Sequence, residues 1–289
     1  MLRQVDAILL PPPPHMVGDG FRVHGFFPGT HRLSSYRTSP FLLLDYNSEF
    51  EFPPSDKARG VDVHPHKGFE TVTLAFKGEV AHHDSYGNTG VIESGDVQWM
   101  TAGSGILHKE YHSEKFTKSG GLFQMIQLWV NLPKRDKYTK PKYQELKKET
   151  FQNVVLKNHA GEAKIIAGKF EGQQGPANTF SPIQVIIFEL KKGKTTTFTS
   201  KESWNTFILA AEGSAEINGQ TLKTNNLAML KNVGSEIQFT AFEDCKLVYL
   251  SGEPIDEPVV QYGPFVMNTK EEIQESINEF HSGKFGHLD

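Results

Sequence analysis

Val61-Asp62-Val63-His64-Pro65-His66-Lys67-Gly68-Phe69-Glu70-Thr71-Val72 and, further on, Thr101-Ala102-Gly103-Ser104-Gly105-Ile106-Leu107-His108-Lys109-Glu110 are the stretches on which the reading of this chain turns. Each carries two potential metal donors with one residue between them: His64 and His66, then His108 and Glu110. Residues i and i+2 of a β-strand point to the same face. Two such strands facing one cavity present three imidazoles and a carboxylate. That set suits a first-row divalent ion and leaves positions open on a six-coordinate one. A lone His-x-His means little in a chain with 12 histidines. The second pair changes the reading, because it follows a Gly-rich approach that lets backbone come close to a neighbour.

The surrounding sequence is β in character. Thr71 to Phe76 alternates, with Val72, Leu74 and Phe76 on one face. Strands are expected at 21–27 (ended by Pro28-Gly29), 40–46, 80–84, 97–101 and 121–132. His82 and His83 must face opposite ways on the strand 80–84. Solvent-exposed positions are expected for both, a place behind the metal donors being the alternative for one. Trp99, Phe123 and Met125 are candidates for either pocket lining or core. Strands recurring every 8–12 residues or so, with turns between them, signal a sandwich or barrel.

The Lys-rich run from Pro133 to Glu149 reads as a solvated connector. It places a cut after residue 133, giving domains 1–133 and 134–289 with a linker at 134–149. The second half repeats the strand pattern. It includes a type I′ hairpin signal at Asn218-Gly219 and reads as an internal duplication. No histidine lies between His159 and His281, and Ser203-Trp204-Asn205 stands where the first half has His64-Pro65-His66. The second copy therefore cannot make the same site. Thr269-Lys270-Glu271-Glu272 is a capping box. It opens a helix near 269–283 whose stripe of Ile273, Ile277 and Phe280 is expected to pack on a sheet.

Composition narrows the function classes. A net charge of −4 gives no electrostatic footprint for direct nucleic-acid binding. Cys245 is the single cysteine, so no intramolecular disulfide forms. No apolar run reaches the ~20 residues of a membrane helix, and the start lacks a signal-peptide pattern. The expectation is a soluble, cytoplasmic, monomeric protein without a membrane partner.

The two quoted stretches, with Gly95-Asp96-Val97-Gln98-Trp99-Met100 leading into the second, resemble the signature of the pirin family of the cupin superfamily. Gln127-Leu128-Trp129-Val130-Asn131-Leu132-Pro133, Gly18-Asp19-Gly20-Phe21 and Gly263-Pro264-Phe265-Val266-Met267-Asn268 extend the resemblance over nearly the whole chain. It implies an all-β bicupin: two antiparallel jelly-roll β-barrel lobes with a C-terminal helix, the metal in the N-terminal lobe only. It also implies a non-haem Fe(II) on His64, His66, His108 and Glu110; the same donors accept Mn, Co, Ni, Cu or Zn. Glu70 is the rival carboxylate. Microbial pirins resemble quercetin 2,3-dioxygenases, which implies a small aromatic or enediol-type substrate, O₂, and Glu110 as catalytic base. The alternative implied by the family is an iron redox sensor that binds transcription factors or metabolic enzymes as protein partners.

Overall fold

A computed structural model describes residues 1–28 and 33–289. The expected turn residue Gly29 lies outside the described residues. The chain forms two compact units that interleave in sequence. One comprises residues 13–36, 41–148 and 255–289; the other comprises 1–12, 37–40 and 149–254. The sequence reading draws one cut after residue 133, whereas contacts divide the chain in several places. The reason is long-range strand pairing, which no local signal announces.

The unit holding the donor pairs is built on a seven-stranded antiparallel sheet. Its order is Lys142–Leu146, Val97–Thr101, Phe69–Lys77, Gly121–Asn131, Phe41–Phe52, Phe21–Phe27, His15–Val17. A four-stranded sheet accompanies it, in the order Gly60–His66, Ile106–His112, Val80–Asp84, Thr89–Ile92. The strands Phe21–Phe27, Val80–Asp84 and Val97–Thr101 match their expected bounds. The alternating stretch Thr71–Phe76 is buried on both faces. The expected connector also differs: Lys142–Leu146 pairs with Val97–Thr101 as the edge strand of the sheet, and Lys137 is buried. Charged residues on and beside an edge strand discourage pairing with other chains, so a solvated linker and an edge strand look alike in sequence.

The other unit repeats the design. Its seven-stranded sheet runs Val5–Leu9, Leu227–Leu230, Asn205–Glu212, Cys245–Gly252, Ile183–Leu190, Gly161–Ala167, Gln152–Val155. The four-stranded one runs Thr195–Thr199, Glu236–Ala241, Ala215–Ile217, Gln220–Leu222. In each unit the edge strand comes from the far side of a long stretch of chain, Val5–Leu9 here and Lys142–Leu146 in the first. Asn218 and Gly219, at φ 47° and 84°, make the expected two-residue hairpin. The strand corresponding to Gly60–His66 is Thr195–Thr199, not the segment around Ser203-Trp204-Asn205. It carries no metal donor either. The interior is filled instead by Phe188, Phe198, Phe239 and Tyr249, with Phe198 and Phe239 ring centres 5.2 Å apart.

The C-terminal helix Lys270–His281 has the full capping box, Thr269 Oγ1 accepting from Glu272 N while the Glu272 carboxylate accepts from Thr269 N. Its apolar stripe packs with Phe265, Met267 and Phe285, next to the hairpin Val260–Met267 of its own unit. No helix among the described residues is long and apolar enough to cross a membrane.

Arg3 shows how the distant N-terminal strand is held. Its guanidinium is fully buried. It donates to Lys231 O (2.6 Å), Lys201 O (3.0 Å), Thr206 Oγ1 (3.0 Å), Ser200 Oγ (3.2 Å) and Asn232 Oδ1 (3.2 Å), and also to Trp204 O. Removing the donor orphans several buried acceptors at once. Arg3→Met is expected to destabilise this unit by about 3 kcal/mol, read as a lower urea midpoint; an unchanged midpoint would contradict this account of the strand's anchoring.

Candidate metal centre

The donor strands Gly60–His66 and Ile106–His112 lie side by side and antiparallel, with His64 the Cα partner of His108 and His66 the partner of Ile106. A register irregularity between His108 and Glu110 sets Glu110 opposite Val61. On its other edge Ile106–His112 pairs with Val80–Asp84, so that Glu110 faces His82 and His108 faces Asp84. Ile106, His108, Glu110 and His112 are all buried while the residues between them are half-buried. This is the period-two pattern the sequence reading relied on.

The glycines of the approach serve close contacts. Gly103, at φ 49°, would place a Cβ 2.1 Å from Thr139 O, and Gly105 would place one 2.2 Å from the Phe285 ring. Gly68 N donates to Gly103 O at 2.8 Å, tying the turn after His66 to the turn before His108. Lys137 Nζ donates to Gly68 O (2.8 Å), Asn131 Oδ1 (2.9 Å) and Val266 O (2.8 Å). Burial lowers its pKa to about 7.

Three imidazoles converge. Ring centres of His64 and His66 are 4.8 Å apart, of His64 and His108 4.3 Å, and of His66 and His108 4.8 Å. Their ligand atoms lie within 4.8 Å of one another. Glu110 belongs to a second group on the same spacing, with His108 and His82. Both ring nitrogens of His108, and Nδ1 of His66 and of His82, are buried without a hydrogen-bond partner. An orphaned buried polar atom is costly, and bare imidazole nitrogens gathered this closely fit a bound cation. Burial, followed by the charge of His64, holds the pKa of His66 and His108 well below the usual imidazole range, so both present lone pairs at neutral pH. His64 Nδ1 lies 2.8 Å from Asp62 O. Donation there leaves Nε2 as the lone-pair nitrogen.

Glu110 is held by two amides. Oε1 accepts from Gln98 Nε2 (2.7 Å) and Oε2 accepts from Gln127 Nε2 (3.1 Å). Thr73 Oγ1 lies 3.2 Å from Glu110 Oε1 and 2.6 Å from Gln127 Oε1, and its single proton goes to the nearer oxygen. Tyr143 OH donates to Gln98 Oε1 (3.3 Å), so both amides are themselves oriented. Sequence reasoning did not find Gln98, Gln127 or Thr73. A glutamine inside an otherwise apolar strand, as at Val97-Gln98-Trp99 and Ile126-Gln127-Leu128, is the signal that could have.

His82 departs from its expected exposure. It is fully buried, with Nε2 3.2 Å from Asp84 Oδ2 and its ring stacked on Tyr143 at 4.7 Å. His83, on the opposite face, is half-buried and stacks on Tyr111. Met125 lines the cavity beside the donors, while Trp99 and Phe123 are core. His112 is buried, with Nε2 2.8 Å from Gly20 O, in a cluster of phenyl rings. That cavity, of about 250 Å³, is bounded by His64, His66, Glu110 and Gln127 on one side and by apolar groups such as Leu43, Met125 and Trp129.

The fold and this donor arrangement define the class, a bicupin with one donor-bearing unit. The family described as Pirin matches residues 20–130, and the Pirin C-terminal cupin domain matches residues 185–286. The chain is 45% identical over 271 residues to a Pseudomonas aeruginosa protein named "putative quercetin 2,3-dioxygenase", covering 94% of each. It is 37% identical to pirin-like protein 2 of Arabidopsis thaliana, covering 93% of this chain and 81% of that protein. The crystal structure of quercetin 2,3-dioxygenase from Acinetobacter baumannii superposes with a TM-score of 0.94 at 44% identity, covering all of both chains. The chain belongs to the pirin family.

Glu70, the rival carboxylate, stands in neither donor group among the described residues. It is buried and accepts from Thr101 Oγ1 at 2.7 Å, and burial raises its pKa to about 7. Its proton is therefore bound more tightly in the folded chain than in the unfolded one. Below the unfolded pKa both states are protonated and Glu70 costs nothing. Between there and pH 7 the unfolded chain ionises first and folding loses stability, the full cost being reached above pH 7. Glu70→Gln is expected to raise stability at pH 8 by up to roughly 3 kcal/mol and to change it little at pH 4, measured by urea unfolding at both pH values, with metal content retained. Loss of metal in this variant would return Glu70 to the donor set.

Proposed function

We propose that the chain is a flavonol 2,3-dioxygenase of the quercetinase type, using a divalent metal held by His64, His66, His108 and Glu110. The observation that carries this reading is a cluster of three imidazoles, with bare buried nitrogens on His66 and His108, beside Glu110 at the wall of an apolar cavity. The names of the Pseudomonas and Acinetobacter relatives support it. Fe(II) is the metal we assign; bound there, it supplies a Lewis acid and a redox centre where a flavonol and O₂ can meet.

The protein's own residues do the rest. Leu43, Met125 and Trp129 pack the aromatic faces of the substrate and exclude water. Glu110 Oε1 and Oε2 each accept one amide hydrogen bond. Each oxygen therefore keeps an acceptor site, so the carboxylate can hold the metal through one and take the proton of the flavonol 3-hydroxyl on the other. Gln98 and Thr73, which do not line the cavity, and Gln127, which does, fix the carboxylate for that transfer. The overall reaction adds O₂ to the flavonol, opens the central ring to a depside and releases carbon monoxide.

Glu110→Gln keeps shape but removes the base. Quercetin-dependent O₂ uptake is expected to fall about 100-fold or more, while the circular dichroism spectrum stays that of the parent protein. Full turnover by Glu110→Gln would remove Glu110 from the role of base. Gln98→Leu tests the positioning claim separately: kcat is expected to fall about tenfold with KM for quercetin little changed.

A further inference from the structure

The cavity holds one acidic group that the chemistry above does not use. Asp45, on the strand Phe41–Phe52, is the Cα partner of Gln127 on Gly121–Asn131. Directly opposed residues share a face of the sheet, and both line the cavity. Gln127 is bonded to Glu110. Asp45 therefore stands about 5 Å, one strand spacing, further along the wall from the residue that holds the base. On its other flank it pairs with Gly25. A Cβ at Gly25 would come 3.1 Å from Asp45 Oδ1, so the glycine makes room for the carboxylate.

Asp45 is otherwise out of place. No described residue donates a hydrogen bond to it, and among the described residues His15 is the one titratable group acting on it. Leu43 and Trp129 share its side of the cavity. Outside the donor set it is the one titratable group lining the cavity among the described residues. Burial raises its pKa to about 6, so it is mostly ionised at neutral pH and lacks donors. A carboxylate in that position favours a ligand that brings a hydroxyl and disfavours one that brings another acid.

We propose that Asp45 determines which flavonols the site accepts, its carboxylate receiving a hydrogen bond from a phenolic hydroxyl on the substrate's pendant ring. The proposal rests on the flavonol reading above. A site built to bond a substrate hydroxyl discriminates against the analogue lacking it, because the site's own polar group is then left unpaired.

The test is binding, so it does not depend on turnover. Anaerobic Fe(II)-loaded protein is titrated, by quenching of tryptophan fluorescence, with quercetin and with galangin, whose pendant ring carries no hydroxyls. The parent protein is expected to bind quercetin about tenfold tighter. Asp45→Ala is expected to bring the ratio of the two dissociation constants near one, and Asp45→Asn, which keeps one acceptor oxygen, to lie between. Metal content is read on each variant, and Asp45→Asn carries the test if Asp45→Ala loses its metal. A parent protein without preference, or a ratio unchanged in the variants, overturns the role of Asp45 and leaves the flavonol reading standing. Failure of the parent protein to bind either flavonol overturns that reading and this proposal with it.

Discussion

The register between Gly60–His66 and Ile106–His112 is the constraint on which the centre depends. It sets His64 beside His108 and turns His64, His66, His108 and Glu110 to the interior. A slip of one residue in either strand would send that strand's donors to the opposite face. Much of the neighbouring structure reads as insurance against that slip. The bond from Gly68 N to Gly103 O ties the ends of the two donor strands. Lys137 secures the same turn through Gly68 O and links it to Val266 O and Asn131. Gly103 and Gly105 permit approaches that any side chain would block. The pairing with Val80–Asp84 then fixes the other edge and brings His82 beside Glu110.

The second unit shows what the same scaffold does without donors. Its strand order repeats that of the first, edge strand included. The strands equivalent to the donor pair supply Phe198 and Phe239, which close into an aromatic core with Phe188 and Tyr249. In the first unit the equivalent interior is polar and costly: orphaned imidazole nitrogens and a carboxylate held by two glutamine amides. Such groups weaken a fold unless something binds them. The contrast between a filled barrel and one left with unmet lone pairs is a physical argument for ligation, independent of any resemblance.

Much of this was legible in the sequence because it is local. The i, i+2 donor pairs, the capping box at Thr269, the Asn218-Gly219 hairpin and the strand at Val97–Thr101 all announce themselves within a few residues. What was not legible is non-local. Val5–Leu9 pairs with Leu227–Leu230 across most of the chain. Lys142–Leu146 carries the charge of an edge strand and so resembles a linker. The burial of His82 follows from Tyr143 stacking on it, a contact between segments that share no local signal. The same holds for Asp45, an acid in a strand whose surroundings come from three other strands.

The measurement that bears most directly on the central claim is O₂ consumption with quercetin by one preparation in three states: chelator-stripped, reloaded anaerobically with Fe(II), and reloaded after the change His108→Ala. The account predicts uptake in the reloaded parent protein alone, in step with the iron it has bound. Equal uptake by the stripped protein, or none by protein carrying one iron per chain, would contradict it.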